Sequence, residues 1–159
     1  MNVLLDRLLR NTREDWRAWA ATAARAGAGA VFVGFSIGKF ARHEAEAGAF
    51  ERYGLPFPDL FTYVVGVVEL GGGALLLVGL GTRLAALALA GDMVGAVATG
   101  GRVDGGLVHL GLAPLLLATT LFLVWEGPGR RALDGLVRAR LSGTLPAVGD
   151  ASGEPVVSP

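Results

Sequence analysis

The chain has no cysteine. That absence excludes a disulfide scaffold, a thiol relay, a Cys-ligated zinc site and an iron–sulfur cluster together. Charge is also scarce: 18% of the 159 residues are Asp, Glu, Lys or Arg, and 14 basic residues balance 14 acidic ones. With no net field there is no global attraction for nucleic acid. Disorder needs low hydrophobicity and high net charge, and this chain has neither. Its 25 glycines show no three-residue period, so a collagen-like helix is excluded. What the chain does have is apolar residues, 52% of the total with a mean hydropathy of +0.52.

These residues gather in four runs. The first is Trp19 to Ala41, broken by Arg25 and Lys39, and the second is Leu60 to Gly81, broken by Glu69. The third is Leu84 to Thr99, broken by Asp92, and the fourth is Leu107 to Trp125, broken by His109. A hydrocarbon core of about 30 Å needs roughly 20 helical residues at about 1.5 Å each. Three runs meet that length; the third needs Gly100 to Val103 or a locally thinner bilayer. Val64 to Leu80 carries one charge and no polar face, which argues against a soluble helix. Small residues favour close helix contacts in lipid, and Gly27, Gly29, Gly34, Gly38, Gly91 and Gly95 are candidate contact points.

The expected fold is all-α, an up-down-up-down bundle of four transmembrane helices with both termini cytoplasmic. Orientation follows from arginine counts. Nine lie on one side: Arg7, Arg10, Arg13, Arg17, Arg83, Arg130, Arg131, Arg138 and Arg140. Three lie on the other: Arg42, Arg52 and Arg102. The positive-inside bias places the first set in the cytoplasm, with Trp16, Trp19 and Trp125 at that interface. Residues 1–18 form a partly helical cytoplasmic segment, with Asn11 or Thr12 as a cap. Residues 19–129 form the membrane domain, 130–141 an amphipathic surface helix, and 142–159 a Gly/Ser/Pro-rich disordered tail. Arg42 to Asp59 is then an outside loop. Ala45-Glu46-Ala47 looks somewhat like a signal-peptide cleavage site, but the charges crowding it argue against cleavage.

Four blocks in order now carry a resemblance. They are Arg25-x-x-x-Gly29-x-x-Phe32 with Lys39-Phe40; Tyr53-Gly54-Leu55-Pro56-x-Pro58; Gly66-x-x-Glu69-Leu70-x-Gly72-Gly73 through Thr82-Arg83-Leu84; and Gly127-Pro128-Gly129-Arg130 with Leu133-Asp134. Together they resemble the DoxX family of small four-helix bacterial membrane proteins, over Arg25 to Asp134. The chain departs from the family's pattern at Phe35 and Ser36, and in ending its third helix Val97-Ala98-Thr99-Gly100 rather than with histidine or other polar groups. The resemblance implies a bacterial plasma-membrane protein. It implies, less specifically, a subunit of quinone-linked redox chemistry, with a quinone as the diffusible group and a membrane or soluble redox protein as partner.

The intramembrane charges are the candidate site. A charge in hydrocarbon costs at least about 2.5–3.5 kcal/mol, so each must be paired, neutralised or wetted. Depth counting puts Arg25 about 9 Å and Asp92 about 12 Å from the inner edge, a candidate pair if the first and third spans are neighbours. Glu69 lies about 13 Å from the outer edge, with Lys39 and His109 nearer that edge, so these three form a second candidate cluster. One reading is internal pairing that fixes helix register. The functional reading makes Glu69 a proton-exchanging group and Lys39, Glu69, Arg25, Asp92 and His109 a quinone-binding set. His43 and His109 read as a loop and a helix-end histidine rather than a metal or haem pair. Two alternatives stand beside the redox subunit: a scaffold docking a soluble oxidoreductase through its Arg-rich surface, and a small proton-coupled transporter that would need to form a homo-oligomer. The premise beneath all of these is the lipid bilayer, and it is directly testable: the chain is expected to sediment with membranes and to aggregate when detergent is withdrawn. A monodisperse chain in plain buffer would refute it.

Overall fold

A computed structural model describes residues 2–130 and 132–141. Among the described residues there is no strand. Helix α1 runs unbroken over Asn2–Ala41, so neither Asn11 nor Thr12 caps a helix; both lie inside one. Its segment Trp16–Ala41 is long and apolar enough to cross a membrane. Pro58–Val78 forms α3, Thr82–Ala98 forms α4 and Gly100–Val103 forms the short α5, which extends the third span to Val103. The fourth span, Val108–Glu126, opens with a π-helical turn at Val108–Leu112 and continues as α6, Ala113–Glu126. Pro114 has no N–H to give an ordinary helical bond, and the wider turn, closed by Ala113 N–H to Val108 O, fits it in without a break.

The stretch expected as an outside loop contains a helix, α2, His43–Arg52. Its Glu44-Ala45-Glu46-Ala47 start combines strong helix formers with acidic residues in the first turn, where the dipole favours them. The turn signals of Gly54 to Pro58 end it: Gly54 takes φ 76°, and Phe57, which precedes a proline, is held at φ 53°. Helix α7, Leu133–Leu141, lies within the expected 130–141 segment. The tail expected over 142–159 lies outside the described residues.

The spans pack in a ring. Helix α1 contacts α3 and α6, and α4 contacts the same two, so α1 and α4 lie across the diagonal. Phe32, Leu76, Leu89 and Leu123 are fully buried at the centre, whereas Leu60, Val67, Leu84, Leu87, Leu115 and Leu121 point outward, as lipid-facing residues should. Close approach is real at Gly29, where a Cβ would lie 2.8 Å from the Gly73 carbonyl oxygen, and at Gly72, where it would lie 2.9 Å from Leu89. The other expected contact points are different. Gly27, Gly34, Gly91 and Gly95 face open space, and Gly38 meets only the Arg42 side chain. Gly34, Gly38 and Gly95 instead line a cavity.

The end of the bundle opposite α2 is latched. The Arg25 guanidinium donates to the carbonyls of Leu76 and Leu77, in the last turn of α3. That turn ends in Gly79 at φ 73°, where a Cβ would sit 2.6 Å from the same guanidinium. Helix α4 has no cap from its own residues. The Asp134 carboxylate supplies it, accepting from Gly81 N–H at 2.7 Å and Thr82 N–H at 3.1 Å, while Asp134 N–H donates to Gly79 O at 2.9 Å. Gly129, at φ 70°, brings the chain so close to Ala18 and Thr22 that no side chain fits, and Thr22 Oγ1 accepts from Arg130 N–H at 2.9 Å. The Gly-Pro-Gly-Arg and Leu-Asp blocks are thus clasps that close one end of the bundle. Removing a capping side chain costs about 1–2 kcal/mol. Asp134→Ala is therefore expected to lower the melting temperature in detergent by several degrees, and Asp134→Asn, which keeps one acceptor, by less; differential scanning fluorimetry reads both.

Candidate functional site

Three spans each deliver one charged side chain to the middle of the bundle. Lys39 comes from the last turn of α1, Glu69 from near the midpoint of α3, and Asp92 from near the midpoint of the span Thr82–Val103. Lys39 Nζ lies 2.9 Å from a Glu69 carboxylate oxygen, and both side chains are almost wholly enclosed, at 12% and 6% exposure. The Asp92 carboxyl is close enough to interact electrostatically with Glu69 and with Lys39. One cation thus meets two carboxyl groups, and the trio is electrically neutral when those two share a single proton. A low-dielectric site favours such neutrality, because unpaired charge there is strongly penalised.

Above the trio lies a cavity of about 820 Å³. It exists because α1 and α4 offer little side chain along its walls: Ala30, Gly34 and Gly38 on one, Gly95 and Ala96 on the other. Phe35, Phe61 and Val65 add apolar wall. The mouth, at the α2 end, is polar and carries Arg42, Glu46, Tyr53, Asp104 and His109. Tyr53 Oη donates to Asp104 at 2.6 Å, and Arg52 lies 3.5 Å from the same carboxylate. Burial, and then the bond to the Asp104 carboxylate, push the Tyr53 phenol up to about 12. Conversely, the Tyr53 hydroxyl, aided by Arg52, holds the exposed Asp104 carboxyl below its ordinary range. His109 Nε2 lies 3.5 Å from Tyr53 Oη, with the two rings edge to face at 5.8 Å between centroids.

The sequence-derived set is therefore partly brought together. Lys39 and Glu69 meet as expected. Asp92 does not pair with Arg25. The first and third spans are diagonal rather than adjacent, and Arg25 is committed to the α3 carbonyls at the latched end. Extension of the third span from Thr82 to Val103 places Asp92 at mid-depth, where it joins Glu69 instead. His109 lines the same cavity but at its mouth, against Tyr53 rather than against Lys39 and Glu69. His43 is separate from it: it stacks on Tyr63 at 4.2 Å and reaches Asp59 at 3.1 Å. Tyr53, Asp104 and Arg52 went unnoticed as site residues, although Tyr53 opens one of the blocks that carry the resemblance.

The sequence model of the DoxX family matches residues 20–102. The chain belongs to the DoxX family. Among curated relatives, the uncharacterized membrane protein Rv3486 of Mycobacterium tuberculosis is 41% identical over 120 residues, covering 67% of this chain and 74% of that protein. A Bacillus subtilis protein named "Putative oxidoreductase CatD" is 31% identical over 109 residues, covering 69% of this chain and 80% of that one. No solved structure gives a significant match. The family match takes in Arg25, Lys39, Glu69 and Asp92, and leaves His109 and Asp134 beyond its end.

The mouth makes a titration prediction. A folded-state phenol raised above its ordinary 10 favours the folded chain fully below pH 10, and that contribution fades as pH climbs through about 12. Ultraviolet titration is expected to show a late-ionising tyrosine that Tyr53→Phe removes. Asp104→Asn, which removes the negative charge, should bring its ionisation to lower pH.

Proposed function

We propose that this DoxX-family protein is an integral subunit of a quinone-linked redox system in the bacterial plasma membrane, and that the Lys39–Glu69–Asp92 trio receives the quinone headgroup. The observation that carries this reading is the trio itself: a buried ammonium beside two carboxyls at the foot of a cavity with apolar walls and a polar mouth. The cavity's volume falls in the range of about 300–1,000 Å³ typical of small-molecule sites. Reducing a quinone takes two electrons and two protons. The electrons come from the redox centre of a partner oxidoreductase. The Lys39 ammonium donates a hydrogen bond to a quinone carbonyl and favours negative charge developing there. The carboxyl pair passes the two protons one at a time, reloading from the aqueous phase between transfers. The oxidoreductase name carried by the Bacillus relative agrees with this direction.

The start of the first span and helix α7 lie at the latched end, and the positive-inside bias supports reading that end as cytoplasmic. Arg17, Arg83 and Arg130 sit there beside Trp19 and Trp125 and offer a basic face to a partner. Purified in lipid nanodiscs, the wild-type chain is expected to retain membrane quinone, quantified by solvent extraction and chromatography. Glu69→Gln and Lys39→Met should each reduce retention at least about tenfold, equivalent to about 1.4 kcal/mol, while eluting as the wild type does. Absence of quinone from the wild type, or equal retention in all three proteins, would overturn the reading.

A further inference from the structure

The mouth of the cavity is built around His109, and three independent features put it there. The π-helical turn Val108–Leu112 rotates His109 away from the register an unbroken α-helix would give it, a device that recurs at functional sites. Gly100 makes room for the ring: a Cβ at that position would lie 2.5 Å from the imidazole Cδ2 and 2.6 Å from Nε2. Finally, both ring nitrogens face acceptors. Nδ1 lies 3.4 Å from the Gly105 carbonyl oxygen, and Nε2 lies 3.5 Å from Tyr53 Oη, whose own hydrogen is given to Asp104. A carbonyl can only accept, and the Tyr53 oxygen is left to accept, so the array is complete when both nitrogens carry hydrogen. Asp104 then balances the imidazolium charge through the Tyr53 hydroxyl.

We propose that His109, with Tyr53 and Asp104, is the proton-loading group at the cavity mouth through which the buried Lys39–Glu69–Asp92 trio exchanges protons with the aqueous phase. This rests on reading the trio as proton-exchanging, but not on the identity of the substrate. The geometry supplies the route. His109 abuts Gly100, eight residues along the third span from Asp92, and so lies about 12 Å nearer the mouth. Thr99, Ala96 and Gly95 line the wall between them. Three or four waters at about 2.8 Å spacing bridge that distance, and at about 30 Å³ per water the cavity holds many more. A proton taken from the aqueous phase by the imidazole leaves from Nε2 into that water chain, and the ring reloads from outside. Other charged groups also face the mouth. Arg52 pairs with Asp104, and Arg42 and Glu46 line the rim. Of all these, His109 is the imidazole, the side-chain type whose two ring nitrogens can take up a proton on one side and release it on the other.

The test follows the trio's carboxyl band by time-resolved infrared spectroscopy after laser release of a caged proton, with the full chain in nanodiscs. The band is identified by its loss in Glu69→Gln and Asp92→Asn. His109→Ala is expected to slow its response at least tenfold without changing the final amplitude, and added imidazole to restore the rate. Tyr53→Phe, which keeps the ring packing, should slow it less. A wild-type rate in His109→Ala, failure of imidazole to rescue, or a band untouched by the Glu69 and Asp92 variants would each overturn the proposal. A chain that retains no quinone yet shows the slowed and rescued response would sink only the quinone reading.

Discussion

Hydrocarbon gives an ionised side chain nothing to bond with, so a helix bundle that carries charges at mid-depth must arrange itself to bring them together. Here that requirement is met by the Lys39–Glu69 pair with Asp92 against it. The three come from three different spans, so satisfying them fixes the depth of α1, α3 and α4 relative to each other. The surrounding helix surfaces could not do this alone, because lipid tails are as apolar as the leucines facing them and give little drive for one helix to prefer another. Packing then fills in around the charges, with Phe32, Leu76 and Leu89 at the centre.

The two ends of the bundle solve different problems. At the latched end three polar side chains bond backbone: Arg25 the carbonyls that end α3, Asp134 the amides that begin α4, and Thr22 the chain after α6. Those partners belong to the helix ends themselves, so little is left to meet a ligand. At the other end the polar groups bond one another across a cavity, and Tyr53, Asp104 and His109 keep contact with water. The same chain thus separates structural from chemical polarity by position along the membrane normal.

Hydropathy and spacing made the four spans legible, because apolar runs of 16 to 23 residues with one or two interruptions have few other homes. They also gave the depth of each interrupting charge to within a turn or two. Depth is only one of two coordinates, and the other, which helices are neighbours, is not written in a run of apolar residues. Hence counting along the runs puts Arg25 and Asp92 close together, whereas they sit on diagonal helices, Arg25 at the latched end and Asp92 at mid-depth. Helix α2 was obscured because Gly54, Pro56 and Pro58 signal a loop strongly, while His43–Arg52 is too short and too charged to look like a span. The Gly34-x-x-x-Gly38 spacing suggested a helix contact, yet both glycines border open cavity. A missing side chain admits a neighbouring helix or an empty volume equally well, and only the fold chooses.

The seam between α1 and α3 has a further consequence. Where Gly29 meets Gly73 the two backbones approach with no side chain between them, and Phe32, Val33 and Leu77 pack closely beside the contact. Two polar fasteners add to that packing, Arg25 on the α3 carbonyls at one end and Lys39 on Glu69 toward the other. The first grips uncharged backbone and holds whatever the acidity. The second joins two ionisable side chains, so it is the fastener whose strength depends on their charge. The α1–α3 seam is thus pinned at both ends by bonds of different kinds.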